Sequence, residues 1–295
     1  MKAVRSAVLL ALVAGCGFDV RPGQAAVDGG TLDGSQTGDG MIDSSIDGMT
    51  DSTIPFVDSD GDSIADSQDN CVNVPNTNQR NHDGDPFGDA CDRCPHLASQ
   101  TDPDQDNDGV GDDCDPRPST PGDTQVLWAG FYEASEIAGW GGQGAFSVAN
   151  GYLVQTATNT SGWAPGDNVD VPFVMTEVVI DDLLETNGSL GIAVTTPTNA
   201  QFECTVAKTG SNVFVRSRQQ GGDSDSATWP GQFASGARIT FRIDLRTNIT
   251  CRATQGNVTV QQDSGRTSAP RGRTFLGTEG IAARFDYLFV VNQGS

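Results

Sequence analysis

From Gln125 onward, short runs of alternating apolar and polar residues are separated by Gly, Asn and Pro every eight to twelve positions. Alternation at period two puts successive side chains on opposite faces of a strand, so this half of the chain predicts an all-β sandwich. The expected strands are Gln125 to Phe131, Phe146 to Ala149, Tyr152 to Thr156, Phe173 to Asp181, Ser189 to Val194 and Gln201 to Lys208. They continue with Asn212 to Arg218, Ile239 to Arg246, Ile249 to Ala253, Val258 to Gln262, Gly280 to Phe285 and Tyr287 to Asn292. Between two of them Asn150-Gly151 signals a type I′ hairpin turn. In the run from Ile239, the residues Ile239, Phe241, Ile243 and Leu245 share one face, with Thr240, Arg242, Asp244 and Arg246 on the other. One face packs and one meets water.

The N-terminal half follows neither period. Lys2 and Arg5 precede the apolar run Ala7 to Ala14, too short to span a bilayer but suited to a secretory signal. That run leads into Val13-Ala14-Gly15-Cys16, which resembles the lipobox of bacterial lipoproteins and implies lipidation of Cys16 after removal of residues 1 to 15. Residues 16 to 56 are Gly, Asp, Ser and Thr with isolated apolar residues, and are expected to form a disordered acidic tether of roughly 35 Å root-mean-square span.

Residues 57 to 118 repeat every 23 residues. In a twelve-residue calcium loop the side-chain ligands fall at positions 1, 3, 5, 9 and 12, with a backbone carbonyl at 7. The first loop supplies Asp58, Asp60, Asp62, Asp66 and Asp69 with the carbonyl of Ile64. The second supplies Asn81, Asp83, Asp85, Asp89 and Asp92 with Phe87, and the third Asp104, Asp106, Asp108, Asp112 and Asp115 with Val110. Fourteen of the fifteen side-chain slots are Asp, which a merely solvated acidic stretch would not produce. Position 6, where a sharp turn wants Gly, holds Ser63, Pro86 and Gly109, so the third loop is expected to bind most tightly.

The cysteines keep the same period. Among the three pairings open to Cys71, Cys91, Cys94 and Cys114, the bridges 71 to 91 and 94 to 114, two equal 20-residue spans that treat each repeat alike, are favoured. The flanks Asn-Cys-Val-Asn-Val-Pro and Arg-Cys-Pro-His-Leu do not suit the helices of an EF-hand. The segment resembles the thrombospondin type 3 repeat, through Asp58 to Cys71, Asn76-Thr-Asn-Gln79, Gly88-Asp-Ala-Cys-Asp92 and Asp104 to Asp115. The resemblance implies a calcium-loaded, disulfide-linked stalk with little regular secondary structure, in a family associated with matrix and adhesion. His82 and His96 lie within it and read as exposed loop histidines.

Charge supports this division. Residues 17 to 124 hold 24 Asp and no Glu against four Arg, whereas residues 125 to 295 hold 15 acids against 11 bases. A net charge of −22 repels phosphate backbones and anionic lipids, which excludes nucleic acid as a partner and leaves membrane contact to the lipid anchor. A linker at 119 to 124 leads into the sandwich at 125 to 295, where Cys204 and Cys251, each in register with apolar residues, can meet as a third bridge.

The order of segments, from Trp140 through Phe146 to Leu153 and a long central strand to the closing run Gly280 to Val291, resembles the concanavalin-like or laminin-G-like jelly roll. The expected fold class is therefore mostly β: a C-terminal jelly-roll sandwich preceded by an irregular calcium-binding stalk and a disordered linker. The sandwich has no His, which excludes serine–histidine and cysteine–histidine nucleophiles. A hydrolase on this fold would need two carboxylates, and the nearest pair is Glu177 and Asp181; in laminarinase-type glucanases an Asp stands where this chain has Val179. Trp163 and Trp229, both in turn-rich stretches, are candidates for stacking on sugar rings. The expected protein is a calcium-binding lipoprotein of the cell envelope or outer membrane that binds rather than converts. Its expected partner is a glycan or an envelope or matrix protein, with a polysaccharide hydrolase or a structural spacer as alternatives.

Overall fold

The computed structural model describes residues 56–143, 146–156, 161–164, 172–195, 201–219, 224–246, 249–264 and 272–294. Cys16, the signal stretch and the tether up to residue 55 lie outside them. No helix among the described residues is long and apolar enough to cross a membrane.

The sandwich begins with β1 (Thr124–Ala129) and a 3-10 turn, η1 (Ala134–Ile137). There follow β2 (Gly141–Gln143), β3 (Phe146–Ala149), β4 (Tyr152–Gln155), β5 (Ser161–Ala164), β6 (Pro172–Leu183), β7 (Gly188–Thr195) and β8 (Gln201–Thr209). The remaining strands are β9 (Asn212–Gln219), β10 (Ser224–Thr228), β11 (Arg238–Asp244), β12 (Thr250–Gln255), β13 (Val258–Asp263), β14 (Arg273–Glu279), β15 (Ile281–Phe285) and β16 (Leu288–Asn292). Each of the twelve expected strands is present, with ends displaced by at most two residues. Four more, β2, β5, β10 and β14, carry too little apolar alternation to be read in advance.

A nine-stranded sheet runs β13-β12-β11-β6-β15-β4-β3, with β16 also on β6 and β1 on β16; a seven-stranded sheet runs β10-β9-β8-β7-β14-β5-β2. Every pairing among the described residues is antiparallel; β7 to β10, β3–β4 and β11 to β13 pair consecutive strands, whereas β1–β16, β6–β11 and β7–β14 pair strands far apart in the chain. At the β3–β4 hairpin Asn150 and Gly151 take φ of 53° and 72°, the double left-handed geometry of a type I′ turn. Ile239, Phe241 and Ile243 of β11 and Val174, Val178 and Ile180 of β6 join Leu190, Ile192 and Val194 of β7 and Phe202 and Val206 of β8 in one buried cluster. Within it the Cys204–Cys251 bridge ties β8 to β12, crossing from one sheet to the other.

Strand β16 departs from alternation. Leu288, Phe289, Val290 and Val291 are all buried, because both faces of the sheet are covered there. Leu288 and Val290 point into the sandwich, whereas Phe289 and Val291 join Phe173, Met175 and Tyr287 on the outer side. What covers that outer side is the aspartate repeat, through Cys94, Val110, Cys114 and Leu97. Burying a large apolar side chain contributes about 1.5–3 kcal/mol, so covering Phe173, Met175 and Phe289 favours docking of the repeats. The repeats are therefore packed along the nine-stranded sheet.

Candidate metal centres in the aspartate repeats

Residues 58 to 123 contain no helix or strand and are built of turns held by their own aspartates. Four contacts recur at the 23-residue period. The N–H of position 9 donates to a carbonyl nine residues back: Asp66 to Val57, Asp89 to Arg80, Asp112 to Pro103, at 2.8–2.9 Å. The carboxylate of position 9 takes the N–H of position 2, in Ser59, His82 and Gln105, at 2.7–2.8 Å. The carboxylate of position 5 takes the N–H of position 7 through one oxygen, in Ile64, Phe87 and Val110. Its other oxygen reaches the chain further on: Asp62 to Asn76, Asp85 to Ser99, and Asp108 to Gly122 and Asp123. The repeat is thus a backbone fold as much as a ligand pattern.

Position 4 carries the left-handed turn in all three loops, with φ of 82° at Gly61, 76° at Gly84 and 60° at Asn107. Position 6 is also left-handed in the first and third, at Ser63 (79°) and Gly109 (94°). Ser63 adopts this geometry at a cost of roughly 1–2 kcal/mol; its N–H is held by Asp58 Oδ2 at 3.0 Å. Pro86 is confined by its ring to negative φ, so the second loop closes differently. There Asn81 takes the N–H of Gly84 and gives its amide to the Asp85 carbonyl.

These turns bring carboxylate oxygens within 4.8 Å of one another in four groups: Asp58, Asp60 and Asp62; Asp83, Asp85 and Asp92; Asp104, Asp106 and Asp108; and Asp108, Asp115 and Asp123. Asp66, Asp89 and Asp112 are not among them; their carboxylates close the loops at position 2. Asp69 gives one oxygen to the Cys71 N–H and to Gln79 Nε2, as Asp92 and Asp115 give theirs to Cys94 and Arg117 N–H. Asp123 lies outside the 23-residue register, so the period does not mark it. It is fully buried, ion-paired with Arg117, and receives the N–H of Gly294.

Several oxygens in these groups are buried without a donor: Asp60 Oδ2, Asp83 Oδ2, Asp104 Oδ1, both oxygens of Asp106, and Asp115 Oδ2. Burial, with repulsion from neighbouring carboxylates, pushes Asp83 up to about 6 and Asp92 and Asp115 to about 7. An all-oxygen donor set with uncompensated charge suits a hard divalent cation, which would take the place of the missing protons and hydrogen bonds.

Elsewhere the sequence-based candidates fare differently. Trp229 is buried in the sandwich core, with Nε1 donating to the Gln232 carbonyl at 3.4 Å, so it caps the core and is not available to stack on a sugar. The backbone of Trp163 pairs with Leu276 of β14; its side chain lies outside the described residues. Glu177 is bound by Arg238 at 2.9 Å and by Thr240, and Asp181 by Arg284 at 2.8 Å, so each carboxylate of that pair is held by an arginine. The expected exposed histidines are instead enclosed: His82 lies edge-on to Trp128, Tyr132 and Tyr287, and His96 stacks among Trp128, Tyr287 and Phe289. The repeats place them there by docking. The bridges Cys71–Cys91 and Cys94–Cys114 each span 20 residues, as the period requires.

The fold and site together define a two-sheet β-sandwich carrying a docked, disulfide-linked aspartate repeat. No protein-family model and no curated protein matches the chain. Among solved structures it is similar to a carbohydrate-binding module of Bacillus subtilis, CBM66, at 10% identity over 50% of this chain and 92% of that one, with a TM-score of 0.41. It is also similar to a β-glucanase of Bacillus licheniformis, at 10% identity over 56% and 96%, TM-score 0.43. A third is the CBM2 module of the evolved Dit protein of Lactobacillus casei BL23 phage J-1, at 11% identity over 59% and 97%, TM-score 0.44.

Proposed function

We propose that this is an exported calcium-binding protein of the cell envelope, anchored through Cys16, in which ion-filled repeats brace a sandwich that recognises carbohydrate. The observation that carries the calcium reading is the set of buried, donorless carboxylate oxygens gathered in the repeats. The residues that would hold ions are Asp58, Asp60 and Asp62; Asp83, Asp85 and Asp92; and Asp104, Asp106, Asp108 and Asp115. Three disulfides suit an oxidising compartment.

For the sandwich, the repeats cover the outside of the nine-stranded sheet around β1, β6 and β16, and the outer face of the seven-stranded sheet lies on the opposite side of the molecule. It carries the cross-strand pairs Glu203–Arg218 and Thr205–Arg216, with the Arg216 guanidinium over the Phe214 ring, and Phe275 beside Ala193. Half-buried aromatics among hydrogen-bonding side chains are what sugar recognition needs. The arginine-bound state of Glu177 and Asp181 favours binding over hydrolysis.

Titration of calcium into the full chain should give several equivalents with dissociation constants of roughly 0.1–1 mM, the range of extracellular modules. Absence of binding at millimolar calcium would overturn this reading. A glycan array run with wild type and Phe214→Ala tests the second part, which fails if nothing binds or if the substitution has no effect.

A further inference from the structure

His96 is buried, only 8% exposed, and neither ring nitrogen has a hydrogen-bond partner. Its imidazole lies 4.5 Å from the Tyr287 ring, 4.7 Å from Phe289 and 6.1 Å from Trp128, measured between centroids. His96 belongs to the repeat and those three rings to the sandwich, so the imidazole sits in the joint between the two. An imidazolium has two N–H donors and needs acceptors or water for both. We propose that His96 is an acid-operated latch: uncharged, it closes the joint between repeats and sandwich, and protonation opens it.

The charged and titratable groups around the ring are already engaged. From the second loop comes His82, whose Nε2 lies 3.8 Å from Asp286 Oδ1. Asp286, in the turn before β16, also faces Arg238 at 3.6 Å. Asp89 is held by the His82 N–H and by Trp128 Nε1. Tyr287 is completely enclosed, and burial pushes its hydroxyl well above its ordinary range, so it stays neutral. On the His96 segment itself, Arg93 turns to Asp102 and Asp104. None of them hydrogen-bonds a ring nitrogen of His96 while the joint is closed.

Burial holds His96 down to about 3 from an ordinary 6.5. The open form therefore binds the proton first as pH falls below 6.5, and the closed form only near 3. Between those limits the ratio of closed to open falls about tenfold per pH unit, roughly 30-fold by pH 5. Opening would uncover Trp128, Phe173, Met175, Tyr287, Phe289 and Val291, a contiguous apolar face.

The test uses the full chain in saturating millimolar calcium, following binding of an apolar fluorescent dye from about pH 7 to about pH 4. Bound calcium is measured at each pH by equilibrium dialysis. Dye binding should rise while calcium is still bound, and in His96→Phe, which keeps an aromatic ring without the titration, the rise should move down by a pH unit or more. Equal midpoints in the two proteins, or a rise that only follows calcium loss, would overturn the latch. Because the chain has only two histidines, the ring nitrogens can also be followed by NMR in the unsubstituted protein. His96 should remain neutral while docked, and titration near 6.5 without opening would equally sink the proposal.

Discussion

The indole Nε1 of Trp128, on the first strand of the sandwich, donates to Oδ2 of Asp89, the ninth residue of the second aspartate loop, at 3.3 Å. The other oxygen of Asp89 takes the N–H of His82 at 2.7 Å, so one carboxylate both closes its loop and fastens that loop to the sheet. Burial pushes the Asp89 carboxyl upward, which makes each donor matter more. Trp128→Phe should keep the ring stacking and lose the bond, weakening docking by about 1.5–3 kcal/mol, the range for a hydrogen bond to a charged group. Protease protection of residues 58 to 115 in calcium is the measurement, and unchanged protection would show that the bond contributes nothing.

Asp108 belongs to two of the four carboxylate groups and also holds the N–H groups of Val110, Gly122 and Asp123. Asn81, by contrast, brings no charge to the second loop and holds one turn, through the N–H of Gly84 and the carbonyl of Asp85. Asp108→Ala should therefore abolish calcium binding in the third loop and loosen the passage into β1, whereas Asn81→Ala should lower affinity in the second by about tenfold or less, about 1.4 kcal/mol. Calcium titration of both variants decides; equal losses would contradict the assignment.

How much of this was legible beforehand depends on the range over which each pattern acts. The aspartate and cysteine periods are local, and Cys71–Cys91 and Cys94–Cys114 follow from them. Strands such as β11 announce themselves because Ile239, Phe241 and Ile243 alternate with polar residues against water. Edge strand β10, Ser-Asp-Ser-Ala-Thr, has no such contrast, and β2 is mostly glycine. Docking of the repeats is a relation between segments that no single period encodes. Its one trace was the unbroken apolar run Leu288 to Val291, the mark of a strand covered on both faces. That same relation encloses His82 and His96, and it is why their loop setting gave no warning of burial.

The bridge Cys204–Cys251 joins the two sheets across 47 residues of chain. On the loop-entropy model its loss costs roughly 4 kcal/mol, against roughly 3 for a 20-residue bridge in the repeats. The double variant Cys204→Ala, Cys251→Ala should lower the melting temperature of the sandwich and leave calcium binding by the repeats in place. Calorimetry in calcium, with calcium titration alongside, separates the two effects; loss of calcium binding together with sandwich stability would mean that the repeats cannot hold their loops without the sheet beneath them.

Calcium should also invert the pH dependence of the repeats. With the ion removed by chelator, Asp92 and Asp115 carry carboxyls raised to about 7 and Asp83 to about 6, all above the 3.8 of an unfolded aspartate. A raised carboxyl means that the folded form holds more protons than the unfolded one, so stability falls as pH rises from about 4 through about 7 and levels off above that. Chelated protein should accordingly resist protease better at pH 6 than at pH 8, with His96 opposing any further gain below 6.5. Calcium competes with those same protons, so in millimolar calcium the order reverses and protection improves toward pH 8. Limited proteolysis of residues 58 to 115 under the four conditions checks this. If chelated and calcium-loaded protein change in the same direction with pH, the clustered carboxylates are not where the ion binds.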